Sequence, residues 1–325
     1  MLNLKRLGSN AGKDHSRCRR ILLCTRSKHW SVVMQGKIIR GIGGFYYVDT
    51  DLPGVVECKA KGIFRNKKVK PLVGDNVEVK ILDREKMLGS IEKILPRKNS
   101  IIRPAVANVD QAVVIFSASV PKPNLNLLDR FLLMMQTQGI ATVICFNKKD
   151  DADEKYLAEL ADNYRGCGSR IFMTSTFTGE GIKEFGECLK NKTSVLAGPS
   201  GVGKSSIINR LFPEAGMEIG EISEKIKRGK HTTRHSELFS LGDGIYIMDT
   251  PGFTSLGLPN LEKEELRDYY PEFEEYKNSC KFLGCVHIHE PQCSVKIALD
   301  EGRIPKGRYD NYRQFFDEIS NKRKY

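Results

Sequence analysis

Ser194-Val195-Leu196-Ala197-Gly198-Pro199-Ser200-Gly201-Val202-Gly203-Lys204-Ser205-Ser206 is the stretch that decides the fold. Its first four residues suit a buried strand, Gly198 to Ser205 fit G-x-x-x-x-G-K-[ST], and the residues after Gly203 read as a helix. That order gives a phosphate-binding loop. The glycines let backbone N–H groups close around a β-phosphate, and the helix N-terminus adds positive potential. Lys204 then reaches the β and γ oxygens, Ser205 ligates Mg2+, and Ser206 follows in the same helical turn.

Working outward, Asp249-Thr250-Pro251-Gly252 ends an expected strand at 245–248. A phosphate-loop protein places there the Asp that holds Mg2+ through water and the Gly that senses the γ-phosphate. Upstream, Asn147-Lys148-Lys149-Asp150 follows the apolar run 142–146 and has the N-K-x-D form of a guanine-reading loop. A carboxylate accepts from both N1–H and N2–H2 of guanine, and adenine offers no such donor pair. Thr174-Ser175-Thr176, followed by Thr178-Gly179-Glu180-Gly181, sits after the next strand, where a GTPase contacts guanine O6, so Ser175 joins the base site. Both base-side elements precede the phosphate loop, the reverse of the conventional order. Their correct mutual order indicates a circularly permuted GTPase domain.

The surrounding chain fits that frame. Runs at 112–118, 142–146, 171–174, 194–197 and 245–248 alternate with helical patterns at 125–138, 182–190 and after Gly203, as in a parallel α/β sheet. Before them, short β-branched or aromatic stretches at 37–40, 44–48, 55–60, 75–82 and 90–94, separated by turn signals such as Gly43-Gly44 and Asp51-Leu52-Pro53-Gly54, predict a small β-barrel. After Pro259 come acidic, aromatic helical segments, a Cys/His cluster and a closing helix around 309–319.

The chain has 325 residues, 40% hydrophobic and 28% charged, enough for two or three folded domains. Its apolar runs are far too short to span a bilayer, which needs roughly 20 residues. No membrane association is expected. Nine scattered cysteines fit reduced thiols plus one metal site, and hence a cytoplasmic protein. The net charge of +12 divides unevenly: +7 over residues 1–33, +7 over 34–104, −5 over 105–279 and +3 over 280–325. Basic ends around an acidic middle suit docking on a phosphate-rich surface.

Cys280-x4-Cys285-x-His287-x5-Cys293 supplies three thiolates and an imidazole within fourteen residues, with His289 a rival fourth ligand. That donor set closes a tetrahedral structural Zn2+ site, one ion per chain, with no position open for catalysis.

The permuted order, the leading barrel, Leu72-Val73-Gly74-Asp75, Gly229-Lys230-His231-Thr232-Thr233, Asp249-Thr250-Pro251-Gly252-Phe253 and the Cys/His cluster together resemble the RsgA (YjeQ/YloQ) family of small ribosomal subunit biogenesis GTPases. The resemblance covers Met34 to about Phe316. It implies a multidomain chain: an N-terminal OB-fold RNA-binding barrel (34–100), a central circularly permuted α/β P-loop GTPase domain (101–260) and a C-terminal α-rich zinc-binding domain (261–325). Residues 1–33 match nothing in that pattern, so they read as an extension, with Met34 a candidate start. The implied partners are GTP and GDP with Mg2+, and the 30S subunit through its 16S rRNA, acting late in its maturation. The chain is expected to work as a monomer.

The position after D-x-x-G, where Ras-like enzymes keep a water-orienting Gln, is Phe253, which can neither donate to water nor accept from it. His231 is the local substitute, and the resemblance implies that it is catalytic. Thr233, in preference to Thr232, meets Mg2+ in the triphosphate state. A related subgroup binds an activating K+ through an Asn in the phosphate loop; Gly201 stands there, which argues against potassium dependence. Two other readings compete: a nucleotide-gated RNA-binding scaffold with little hydrolysis, made conceivable by Phe253, and an ATPase, which requires Asn147 to Asp150 to be accidental.

Overall fold

A computed structural model describes residues 33–61, 64, 69–101, 105–213, 237–249 and 256–321. The sequence-derived assignments for residues 1–32, His231, Thr232, Thr233, Gly252 and Phe253 lie outside the described residues.

Five strands, β1 (Val33–Ile42), β2 (Phe45–Thr50), β3 (Val55–Ala60), β4 (Asn76–Asp83) and β5 (Leu88–Ile94), close into a barrel in the order β1-β2-β3-β5-β4. Alternation along each strand points Ile38, Val48, Val56, Cys58, Val77, Val79 and Ile91 inward, where all are fully buried. The Leu72-Val73-Gly74-Asp75 motif forms the joint beneath the barrel. The buried Asp75 carboxylate accepts from the Leu72 N–H (2.8 Å) and from Arg97 Nε (2.6 Å), a bond that raises the Arg97 pKa above its ordinary value. Gly74 has φ +89, and a Cβ there would stand 2.1 Å from the Ala107 carbonyl oxygen, so only glycine fits.

A short hairpin, β6 (Ser100–Ile101) and β7 (Val106–Ala107), leads into the central sheet. Its strands are β8 (Gln111–Ser117), β9 (Ala141–Asn147), β10 (Arg170–Met173), β11 (Thr193–Ala197), β12 (Phe239–Ser240) and β13 (Tyr246–Asp249). They lie in the order β10-β9-β8-β11-β13-β12, and all are parallel except β12 at the edge. Every residue of β8 and of β11 is buried, as strands covered on both faces require. Val114 and Phe116 pack under α1 (Leu125–Gln136) and α2 (Glu154–Asn163). Val113 and Ile115 pack under α3 (Ile182–Glu187) and α4 (Lys204–Leu211).

The remaining chain forms a third core. It comprises short 3-10 turns at Leu266–Tyr269 and Pro271–Phe273 and the helices α5 (Glu274–Lys277), α6 (Ser294–Asp300) and α7 (Lys306–Asn321). Leu266, Tyr270, Phe273, Val295, Tyr309, Tyr312 and Phe315 fill it. Several features depart from the sequence expectation, the β6–β7 hairpin and β12 among them. The helix expected over 182–190 stops at Glu187, and α2 occupies a stretch for which no element was expected. Among the described residues, no helix is long and apolar enough to cross a membrane.

Candidate functional site

The parallel strands end together, so the loops after β9, β10, β11 and β13 share one edge of the sheet. From β8 the chain steps outward to β9 and β10, then returns past β8 to β11. The phosphate-loop strand therefore lies at the topological switch point, where open α/β sheets bind ligands.

On the phosphate side, Gly198 to Gly203 link β11 to α4. Gly198 takes φ +149, where a Cβ would stand 2.2 Å from the Ile115 carbonyl oxygen. Pro199, Ser200 and Gly201 form the outer turn, Val202 is buried, and Gly203 (φ +95) opens the helix. Lys204 and Ser205 are buried at the start of α4, with Ser206 half-buried beside them. Lys204 Nζ donates to the carbonyls of Gly198 (2.8 Å) and Pro199 (2.9 Å), which keeps the ammonium at the mouth of the loop. Asp249 ends β13 opposite Leu196 of β11, so its backbone borders the phosphate-loop strand.

On the base side, the fully buried Asn147 closes β9 and joins both halves of the site. Its Nδ2 donates to the Val202 carbonyl (2.9 Å), and its Oδ1 accepts from Thr174 Oγ1 (3.1 Å). Lys148 takes φ +63 and donates from Nζ to the Val120 carbonyl (2.6 Å). Lys149 and Asp150 form a 3-10 turn, and the Lys149 N–H donates to the Thr174 carbonyl (3.0 Å). Ser175 is fully buried, and its hydroxyl accepts from the Thr178 N–H (2.9 Å). Below them, burial pushes the Cys145 thiol up to about 12, so it stays a neutral partner of Thr174 (3.3 Å).

Two residues of the base-side motifs make contacts that the sequence pattern does not assign. Glu180 forms an ion pair with Lys149, and Thr174 ties its own strand to Asn147. No local pattern marks a pair 31 positions apart, although the loop containing Glu180 was already placed at the base.

The Cys/His cluster lies in the third core. The ligand atoms of Cys280, Cys285, His287 and Cys293 all fall within 4.8 Å of one another. His287 Nδ1 is 3.6 Å from Cys280 Sγ and 3.3 Å from Cys293 Sγ. His289 stands outside the group and is exposed. Around the cluster, the Glu290 carboxylate accepts from the N–H groups of Val286, Ile288 and His289. Tyr309 and Tyr312 of α7 donate to the carbonyls of His287 (2.6 Å) and Val286 (2.5 Å). Burial lowers the His287 pKa to about 4, which keeps the imidazole neutral, the form a metal takes. Three soft thiols and one neutral imidazole at this spacing suit Zn2+.

Comparison with known proteins agrees with this architecture. Residues 94–259 match the family model of the RsgA GTPase, and residues 35–89 match that of the RsgA N-terminal domain. The chain is 56% identical over 302 residues to the small ribosomal subunit biogenesis GTPase RsgA of Agathobacter rectalis, covering 90% of this chain and 100% of that one. The protein of the same name from Alkaliphilus metalliredigens is 48% identical over 291 residues, covering 90% and 99%. Among solved structures, YjeQ from Thermotoga maritima superposes with a TM-score of 0.76 at 36% identity, over 90% of this chain and all of that one. YloQ, described as a circularly permuted GTPase, gives 0.74 at 36% identity, over 93% and 100%.

Proposed function

The chain belongs to the RsgA GTPase family of GTP hydrolases, and from that premise we propose that it docks on the 30S ribosomal subunit late in its maturation and hydrolyses GTP there at a rate the subunit raises. The observation that carries the site assignment is Asn147, whose buried carboxamide bonds at once to the phosphate loop and to the strand before the Ser175 loop. Base reading and phosphate binding are thereby held in one rigid piece.

In this mechanism Asp150 accepts from the guanine edge, while Asn147, Lys148, Lys149 and Ser175 build the walls around it. Gly198 to Ser206 surround the β- and γ-phosphates. Ser205, Asp249 and Thr233 would hold Mg2+, which when bound offsets charge on the β and γ oxygens. Gly252 senses the γ-phosphate, and His231 orients the attacking water in place of the Gln that Phe253 replaces. Cys280, Cys285, His287 and Cys293 hold one structural Zn2+, which contributes folding energy and no chemistry. The basic barrel supplies phosphate contacts to 16S rRNA, so binding weakens steeply as salt rises.

The test is steady-state phosphate release at fixed salt with a titration of 30S particles, alongside 50S particles and bare RNA. Stimulation by 30S well above both controls is expected, and His231→Ala removes it while GTP still binds. Equal stimulation by 30S and bare RNA would overturn the docking reading.

A further inference from the structure

Phe177 is 85% exposed at the tip of the loop that follows β10. The loop is closed upon itself: the Ser175 N–H donates to the Glu180 carbonyl (3.0 Å), and the Gly179 N–H to the Ser175 carbonyl (2.9 Å). The Thr178 N–H adds its bond to Ser175 Oγ (2.9 Å). This small closed turn is also fixed to the base-reading segment by the Thr174–Asn147 and Lys149–Thr174 hydrogen bonds and the Lys149–Glu180 ion pair. The neighbouring long side chains are held elsewhere, Lys148 on the Val120 carbonyl and Lys149 on Glu180, and the ring stays uncovered.

A flat apolar ring with its surface open, on a closed loop bonded to the segment that carries the guanine-reading carboxylate, matches the face of a purine. We propose that Phe177 stacks on the face of the guanine whose edge Asp150 reads, making it an affinity determinant of the nucleotide site. The inference rests on the base-reading role given above to Asn147–Asp150 and Ser175. A face contact is indifferent to the groups on the purine edge, so Phe177 contributes affinity and Asp150 contributes selectivity. Base–aromatic stacking measured by alanine substitution is worth roughly tenfold or more in affinity per base.

The experiment is calorimetric titration of the full chain with GDP, IDP and ADP. Phe177→Ala and Phe177→Leu are expected to weaken GDP binding roughly tenfold and IDP binding by the same factor, with KM for GTP rising in parallel, because leucine is apolar but has no planar face. Phe177→Trp should keep wild-type affinity. In a chain whose one native tryptophan, Trp30, is replaced by Phe, its indole emission should change on adding GDP. Wild-type GDP affinity in Phe177→Ala overturns the proposal, as does full retention in Phe177→Leu. Unchanged GDP affinity with weakened 30S binding would assign the ring to an RNA base instead. If the wild-type chain itself fails to prefer GDP over ADP, the base-reading assignment has failed, an outcome distinct from loss of stacking alone.

Discussion

Gly203 illustrates how one residue can serve two parts of a site. In a phosphate loop its lack of a side chain is usually credited to the approach of phosphate. Here a Cβ would also stand 2.3 Å from Asn147 Nδ2, and φ is +95. Gly203→Ala therefore strains the backbone and pushes Asn147 off the Val202 carbonyl. A left-handed alanine costs about 1 kcal/mol, and disturbing a buried amide hydrogen bond adds about 1–3 kcal/mol. The expected outcome is GDP affinity lowered at least tenfold in calorimetry together with a lower melting temperature. Loss of phosphate binding without loss of stability would show that the base-side contact contributes nothing.

Elements differ in how plainly the sequence announced them. The barrel and the parallel strands were legible because β-branched alternation and fully apolar runs need no knowledge of neighbours. By contrast, α2 gives only a short apolar stripe: Leu160 is its one buried residue, and Tyr156 and Leu157 are half-buried against the same core. The edge strand β12 is only two residues long and is defined by pairing with β13. The same limit hid the joint between barrel and sheet. Asp49 of β2 accepts from Ser240 Oγ and Tyr246 Oη, each at 2.8 Å, and the Leu238 N–H donates to the Ile39 carbonyl (2.8 Å). Asp49→Ala removes that acceptor from two hydroxyls that water can partly reach, and should cost about 0.5–1.5 kcal/mol in chemical unfolding. It should also lower 30S-stimulated phosphate release while the rate of the free chain holds. The metal-cluster segment had a strong sequence signal in its cysteines, but geometry was needed to choose His287 over His289. Between Cys280 and Cys293 there is no helix or strand, so side-chain contacts, and the Zn2+ proposed above, would fix its path. Cys285→Ala should drop zinc from about one ion per chain to near zero by elemental analysis and expose the third core to protease. A metal-free wild-type chain with the same melting curve would contradict the structural role.

At the scale of the whole molecule, the barrel is joined at the β12–β13 edge and the C-terminal core packs on α1 and α2, over the β8–β10 half of the sheet. A buried ion cluster fixes the second joint. Arg308 of α7 is 1% exposed; its Nη1 lies 2.7 Å from Asp129 of α1, its Nε donates to Glu272 at 2.7 Å, and its guanidinium lies 4.7 Å from the Tyr270 ring centroid. Burial opposes the charge, but the two carboxylates outweigh it and hold the Arg308 pKa well above its ordinary value. Around this centre, Asn311 donates to Asp129 (2.6 Å), and Arg130 pairs with Glu318 (3.1 Å). Sequence reading places charged residues of an amphipathic helix on its solvated face, and only the fold shows that this one is internal. Because one cation serves two buried anions, Arg308→Ala leaves both carboxylates unpaired, a change that typically costs about 3–5 kcal/mol. Arg308→Lys keeps the charge but not the planar fork that reaches both partners, so it should recover only part of that loss. If barrel and C-terminal core must meet one RNA surface together, loosening their span should cost 30S affinity more than hydrolysis by the free chain. The measurement pairs urea unfolding with 30S co-sedimentation for wild type, Arg308→Ala and Arg308→Lys. Destabilisation in the order Ala, Lys, wild type, with 30S affinity falling in step, is the expected result. An alanine variant that unfolds like wild type would show that the apolar core alone holds the two parts together.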